Sequence, residues 1–283
     1  MRRLVYFPDD SFLGKKVSAF LKHKGCSAEI IKELKCGGLL INGVAAPTVQ
    51  PLCKGDKVEI FFEDEKSGLT PNLSPFVKII YEDEDLTVAD KPPFMPIHAS
   101  PGHYGDTLAN HFAALYPNRR FRAVTRLDRN TSGLCVAAAH KLAAAVLCGN
   151  KPEKVYYAAV SGEPPEEGVI ELPIGREDGS LIKRTVSPDG KAAVTRYRAV
   201  KRVKGRALLE VVTETGRTHQ IRVHLAAAGF PLLGDELYGG DCGTMRRHAL
   251  HCGEIRFSHP ISGAEMHFSS PLPEDILQLI VDN

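Results

Sequence analysis

The sequence predicts an α+β fold in two unequal parts, and three observations predict it. After residue 75, strand-like and helix-like segments follow one another without regular alternation, which argues against a doubly wound sheet. Before residue 63, two short amphipathic segments precede a strand-rich end. Between these parts lies a polar stretch rich in turn formers, including Thr70-Pro71-Asn72 and Ser74-Pro75. The expected organisation is a small module over residues 1–65, a linker over 66–75 and a larger domain over 76–283.

In the first module, Val17, Phe20 and Leu21 stand at helical spacing. Ser27 suits the cap of a second helix, with Glu29 in its first turn and Ile30, Ile31 and Leu34 on one apolar face. Gly37-Gly38 ends that helix, and Leu39 to Ile41 reads as a strand leading into the tight turn Asn42-Gly43. Gly55-Asp56 marks a second turn before a strand from Lys57 to Phe62. In the larger domain, Val77–Tyr81, Leu86–Ala89, Val155–Val160, Thr195–Val200 and Leu208–Thr213 read as strands. Leu108–Tyr116, His140–Leu147 and Thr218–Ala228 read as helices, the last closed by Gly229.

Composition excludes several classes. At 43% hydrophobic and 25% charged residues the chain has ordinary globular balance. No window approaches the roughly 20 apolar residues needed to cross a bilayer, and the N-terminal apolar run is too short for a signal peptide. A cytoplasmic protein with no membrane partner is expected. The seven cysteines are odd in number and none forms a C-x-x-C pair, so reduced thiols are expected rather than a disulfide framework or zinc finger. A net charge of +2 hides an uneven distribution. Residues 1–62 carry ten basic and six acidic side chains, and residues 119–154 carry eight and two. Two separated basic segments suit a polyanion held at two places.

Two stretches carry chemistry. In Val124 to Leu134, read as a polar loop ended by glycine, Asp128 sits between Arg126 and Arg129 with Thr131 just beyond. Neighbouring cations favour an ionised carboxylate, which suits a nucleophile or a base; an ion-pair cluster on the surface would look the same. In Glu214 to Leu225 a strand ends at Thr215-Gly216 and a helix begins, placing His219 and Arg222 three residues apart near its start. His219 and His224 diverge around a helix, and His248, His251 and Cys252 lack a matching carboxylate pattern, so no metal site is expected. No glycine pattern for a dinucleotide or phosphate loop is present. A hydrolase pairing Asp128 with His219 would lack a nucleophile elbow or a paired-carboxylate site.

Taken together, these stretches resemble the RluA-type RNA pseudouridine synthases. Arg126-Leu127-Asp128 with Thr131-Ser132-Gly133-Leu134 resembles their signature, and Thr215 to His224 their later block, continued by Gly229 to Asp235 and Tyr238-Gly239. Lys154-Val155-Tyr156 resembles their K-x-Y element; Tyr81-Glu82-Asp83 and Asp90-Lys91-Pro92-Pro93 resemble the opening of the catalytic domain, and His248 to His251 with His259-Pro260 its close. One departure is Thr125, where the family usually has histidine. Residues 12–62 resemble the αL RNA-binding module of a small-subunit ribosomal protein, with Ala28 where that module often has arginine.

The resemblance implies a long mixed, mostly antiparallel sheet flanked by helices and loops, preceded by the αL module. It implies isomerisation of uridine in structured RNA with no cofactor, since no redox change occurs. Asp128, Tyr156 and Arg222 are the implied catalytic residues, with Arg222 pairing with Asp128. Arg126 is implied to fill the gap left by a flipped-out base, and Ile221 to line the pocket. Arg129, Thr131, Arg217, His219 and, in the first module, Lys32 and Lys35 are implied RNA contacts. Ribosomal RNA is favoured over transfer RNA as the partner, because an N-terminal RNA-binding module is commoner on the ribosomal enzymes. A monomer is expected. A non-catalytic RNA-binding or ribosome-assembly protein is the alternative, although binding alone needs no Asp128–Tyr156–Arg222 set. If the basic segments hold phosphates, RNA affinity measured against salt concentration will fall steeply on a log–log plot. An affinity insensitive to salt would contradict that surface.

Overall fold

The computed structural model describes residues 2–63 and 66–281. Asp64 and Glu65, at the expected boundary of the first module, lie outside the described residues, as do Met1, Asp282 and Asn283.

The first module comprises β1 (Arg2–Tyr6), α1 (Val17–His23), α2 (Ala28–Leu34), β2 (Leu39–Ile41), β3 (Val44–Ala45) and β4 (Val58–Phe62), its sheet ordered β1-β4-β2-β3 with antiparallel pairings. Ser27 caps α2, its Oγ accepting the Ile30 N–H at 3.2 Å. The apolar faces of both helices share one core with Val58 and Ile60 of the sheet. Asn42 and Gly43 both adopt positive φ, the backbone that matches the twist of a two-residue hairpin. The Asn42 side chain also donates to Asp56 at 2.8 Å and accepts from Lys57 N–H at 2.9 Å, tying the two turns together.

The larger part comprises β5 (Lys78–Glu82), β6 (Leu86–Lys91), α3 (Leu108–Leu115), β7 (Arg122–Ala123), β8 (Ser132–Ala138), α4 (Lys141–Gly149), β9 (Glu153–Ser161), β10 (Glu167–Glu171), β11 (Ile174–Arg176), β12 (Arg184–Val186), β13 (Val194–Val203), β14 (Arg206–Thr213), α5 (Gln220–Ala227), β15 (Leu250–Ser258), β16 (Glu265–Ser269) and α6 (Glu274–Leu277). Its main sheet runs β10-β13-β14-β9-β15-β8-β6-β5, with β16 beside β15 and β7 beside β8. Every pairing in it is antiparallel except β8 with β15. The fold is the expected α+β arrangement around one long mixed sheet.

Two sequence expectations need correction. The polar loop expected to run through Leu134 ends at Thr131, because Ser132-Gly133-Leu134 begin the central strand β8. All seven residues of β8 are buried, so it lacks the alternating pattern by which a strand covered on one face is recognised. The helix expected from Thr218 starts at Gln220, after a left-handed His219. Within the expected linker 66–75, the Asn72 side chain donates to the Gly105 carbonyl at 2.7 Å, and Asn110 of α3 donates to the Thr70 carbonyl at 2.8 Å.

The two parts meet at α4. Leu142 completes the core of the first module, and the His140 ring stacks on Phe62 with centroids 5.3 Å apart. Arg2 of β1 reaches across to hold both Asp85 oxygens, at 2.8 and 3.1 Å. Asp83, Asp85 and His259 gather there within 4.8 Å like a metal-ligand trio. Their oxygens already accept hydrogen bonds from Tyr81, Arg2, His140 and backbone N–H groups, so the cluster works as a clasp.

At the parallel junction Gly133 has φ +110, and a Cβ there would lie 2.2 Å from the Cys252 carbonyl oxygen. Gly133→Ala is therefore expected to destabilise the protein by about 2–4 kcal/mol, lowering Tm in a thermal melt by roughly 5–10 °C. Gly149→Ala at the end of α4, where a Cβ meets nothing within 4 Å, serves as the control and should leave Tm unchanged or slightly raised.

Candidate active site

Register across the sheet sets the frame of the site. Val211 of β14 pairs with Tyr156 of β9, Tyr156 with Cys252 of β15, Cys252 with Gly133 of β8, and Gly133 with Lys91 of β6. One row across five strands thus joins the K-x-Y tyrosine to the strand that starts just after Asp128. Adjacent strands lie about 4.8 Å apart, so Tyr156 and Gly133, two strands apart, are roughly 10 Å from each other.

Asp128 stands on the loop between β7 and β8, its side chain 26% exposed at the rim of a cleft. Arg222, on the first turn of α5, points its Nη1 at Asp128 Oδ2 at 3.3 Å. The other edge of the same guanidinium is gripped by Asp235, with Nε–Oδ2 at 2.7 Å and Nη2–Oδ1 at 2.8 Å. Its flat face lies 4.9 Å from the centroid of Tyr238. Such a bidentate fork fixes the plane of an arginine, which a lysine ammonium cannot reproduce. Sequence reasoning paired Arg222 with Asp128 alone; the shorter and more buried pair is with Asp235.

His219 occupies the N-cap of α5 with φ 58, a conformation costly for a residue with a Cβ. Its ring Nδ1 lies 2.9 Å from the Tyr238 hydroxyl, and that oxygen also accepts the Arg184 N–H at 3.0 Å. The Tyr238 hydroxyl thus links the His219 ring to the Arg184 backbone, and the other ring nitrogen, Nε2, faces Asp128 Oδ2 at 3.9 Å. Burial pushes the His219 imidazole below its ordinary pKa, with Asp128 opposing and Arg222 reinforcing that shift. Gln220 secures the preceding turn: its Oε1 accepts from Thr215 and from the Arg217 N–H, and its Nε2 donates to Val194 and Thr195.

The cleft beside these groups has a volume of about 720 Å³ and is lined by Arg126, Asp128, Lys154, Tyr156, Ile221 and Arg222 among others. A second cleft of similar size, about 740 Å³, opens at the junction with the first module, away from these residues. The Tyr156 ring is buried, with the Lys154 ammonium 5.3 Å from its centroid. Burial pushes the Tyr156 phenol up to about 12, against the opposing pull of Lys154.

The structure brings most of the expected site residues to this one cleft. Arg217 lies exposed on its wall, its Nε donating to the Ala192 carbonyl at 3.0 Å. Thr131 reaches the cleft, yet its hydroxyl is engaged with His248 Nε2 at 2.8 Å. Arg129 is exposed outside the cleft lining, and Lys32 and Lys35 lie exposed in the first module. Thr125 is buried and its Oγ1 accepts the Val136 N–H at 2.9 Å, so it fastens the loop to β8. Asp235 and Tyr238 were legible as motif residues but not as the partners that hold Arg222 and His219. Their separation from α5 in sequence gave no local signal of contact.

Comparison with known proteins identifies the family. The family described as RNA pseudouridylate synthase matches residues 85–227. The Bacillus subtilis protein bearing the name Uncharacterized RNA pseudouridine synthase YjbO is 37% identical over 276 residues, 93% of this chain and 98% of that one, a match that runs through both modules. Ribosomal large subunit pseudouridine synthase D of Pseudomonas aeruginosa is 35% identical, covering 87% of this chain and 84% of that one. The solved structure of Human RNA Pseudouridylate Synthase Domain Containing 1 superposes with a TM-score of 0.59 at 25% identity, covering 72% of this chain and 86% of that one. The motif order, the mixed sheet and these full-length matches place the chain in the RNA pseudouridylate synthase family, in its RluA-type branch.

Proposed function

We propose that this protein isomerises uridine to pseudouridine in large-subunit ribosomal RNA, in the cytoplasm, with Asp128 as the catalytic carboxylate. The observation that carries the assignment is the Arg222 fork, held by Asp235 and aimed at Asp128. The reaction breaks the N1–C1′ bond, turns the uracil and joins C5 to C1′, with the C5 proton lost and a proton taken up at N1. It needs an anionic oxygen beside the nucleotide, and Asp128 is the carboxylate at the rim of the cleft. Arg222 Nη1 holds Asp128 Oδ2 at 3.3 Å, and Asp128 is among the residues lining the cleft.

A base inside folded RNA must leave its stack to reach this cleft, at a cost of a few kcal/mol. Arg126, exposed beside Asp128, has the flat guanidinium that can take its place in the stack. Tyr156 receives the uracil by stacking. Burial pushes its phenol up to about 12, so Tyr156 meets the nucleotide as a neutral phenol. Ile221 supplies an apolar contact in the cleft. Support for ribosomal RNA comes from the relatives named as large-subunit enzymes and from the basic first module.

Asp128→Asn keeps the size and hydrogen-bonding capacity of the side chain but removes its anionic oxygen. With ribosomal RNA labelled by tritium at uridine C5, the wild type should release label and Asp128→Asn should release none above background while melting at an unchanged temperature. Release by the variant at the wild-type rate would remove Asp128 from the chemistry.

A further inference from the structure

Between Asp128 and Thr131 the catalytic loop has no strand partner, and buried side chains hold its backbone from beneath. Lys91, fully buried at the end of β6, donates from Nζ to the Arg129 carbonyl at 3.1 Å. Arg247 donates from Nη1 to the Asn130 carbonyl at 3.2 Å and to the Leu250 carbonyl at 3.3 Å. The Thr131 hydroxyl meets His248 Nε2 at 2.8 Å, and the Ser132 hydroxyl meets His251 Nδ1 at 2.9 Å. Three consecutive residues, Asn130 and Thr131 of the loop and Ser132 at the start of β8, are thus tied to one segment, Arg247 to His251, which runs alongside them into β15.

Arg247 is the residue on which this backing turns. Its side chain is only 1% exposed, yet the carboxylate that balances it, Asp275 of α6, is 45% exposed. The pair is bidentate, Nε–Oδ2 at 2.7 Å and Nη2–Oδ1 at 2.9 Å. With two nitrogens fixed by Asp275, the plane of the guanidinium is set and Nη1 is the nitrogen left to face the loop. Main-chain packing on the other side is close: a Cβ at Gly234, beside Asp235, would lie 2.0 Å from the Arg247 carbonyl oxygen. The same segment therefore backs the Asp128 loop and abuts Gly234, the neighbour in sequence of the residue that holds Arg222.

We propose that Arg247 and Asp275 are positioning residues for the isomerisation, and that α6 acts through them to hold the loop bearing Asp128. This rests on the function assigned above. Neither residue lines the cleft, so their effect should fall on the rate of the chemical step and leave RNA binding unchanged.

Asp275→Asn, at a half-exposed carboxylate, removes the charge and one strong acceptor without opening the core. In hydrogen exchange of the intact protein, amides of the segment 126–134 should exchange on the order of tenfold faster than in the wild type. Glu274→Gln, one residue away on the same helix and exposed, should leave that segment unchanged. In tritium release from ribosomal RNA labelled at uridine C5, Asp275→Asn should lower kcat roughly 10- to 100-fold at unchanged KM, and Asp275→Glu should recover part of the loss. Exchange of the segment at the wild-type rate in Asp275→Asn overturns the proposal, as does faster exchange spread evenly over the whole chain. Should the wild type itself release no label, the functional assignment fails, and the exchange experiment alone still decides whether Asp275 holds the loop.

Discussion

One guanidinium shared between two carboxylates organises the site. Arg222 is buried and must have its charge balanced. Asp235, almost wholly buried, takes two of its nitrogens, and the third is directed at Asp128 at the edge of solvent. The inner carboxylate therefore sets geometry, while the outer one remains able to meet substrate. Tyr238 beneath the guanidinium and against His219 extends the same constraint to the start of α5.

The sheet makes that arrangement possible. A parallel junction between β8 and β15 inside an otherwise antiparallel sheet brings the Asp128 loop beside the chain that precedes β15. β9 and β14 lie on the far side of β15, and Tyr156 and the start of α5 line the same cleft as Asp128. Gly133 is required at the junction because the Cys252 carbonyl lies where its Cβ would be. The clasp between Arg2 and Asp85 fixes the first module against α4, so the basic first module is carried as part of the same body.

Much of this was legible in the sequence, and what was not has physical reasons. Asp128, Tyr156 and Arg222 stand in short linear motifs, so the resemblance of those motifs to a family could single them out as candidates. The helices α3 and α4 and the hairpin turn at Asn42-Gly43 carried local signals, and the structure contains them. β8 was hidden because a strand buried on both faces lacks alternation, and its polar first residues continued the loop before it. The start of α5 was read early because His219 belongs to the helical pattern in sequence yet adopts a left-handed backbone to reach Tyr238. The roles of Asp235, Arg247 and Asp275 depend on contacts set by the sheet, and nothing adjacent to them in sequence encodes those contacts.

If the fork of Arg222 aims Asp128 beyond balancing its charge, lysine cannot replace it. Arg222→Lys keeps the charge and loses the fork, so its single-turnover rate on ribosomal RNA, measured beside its RNA affinity, separates the two. A rate lower by roughly 100-fold with affinity unchanged is expected. A lysine variant turning over at the wild-type rate would show that a positive charge suffices and that the fork does not aim Asp128.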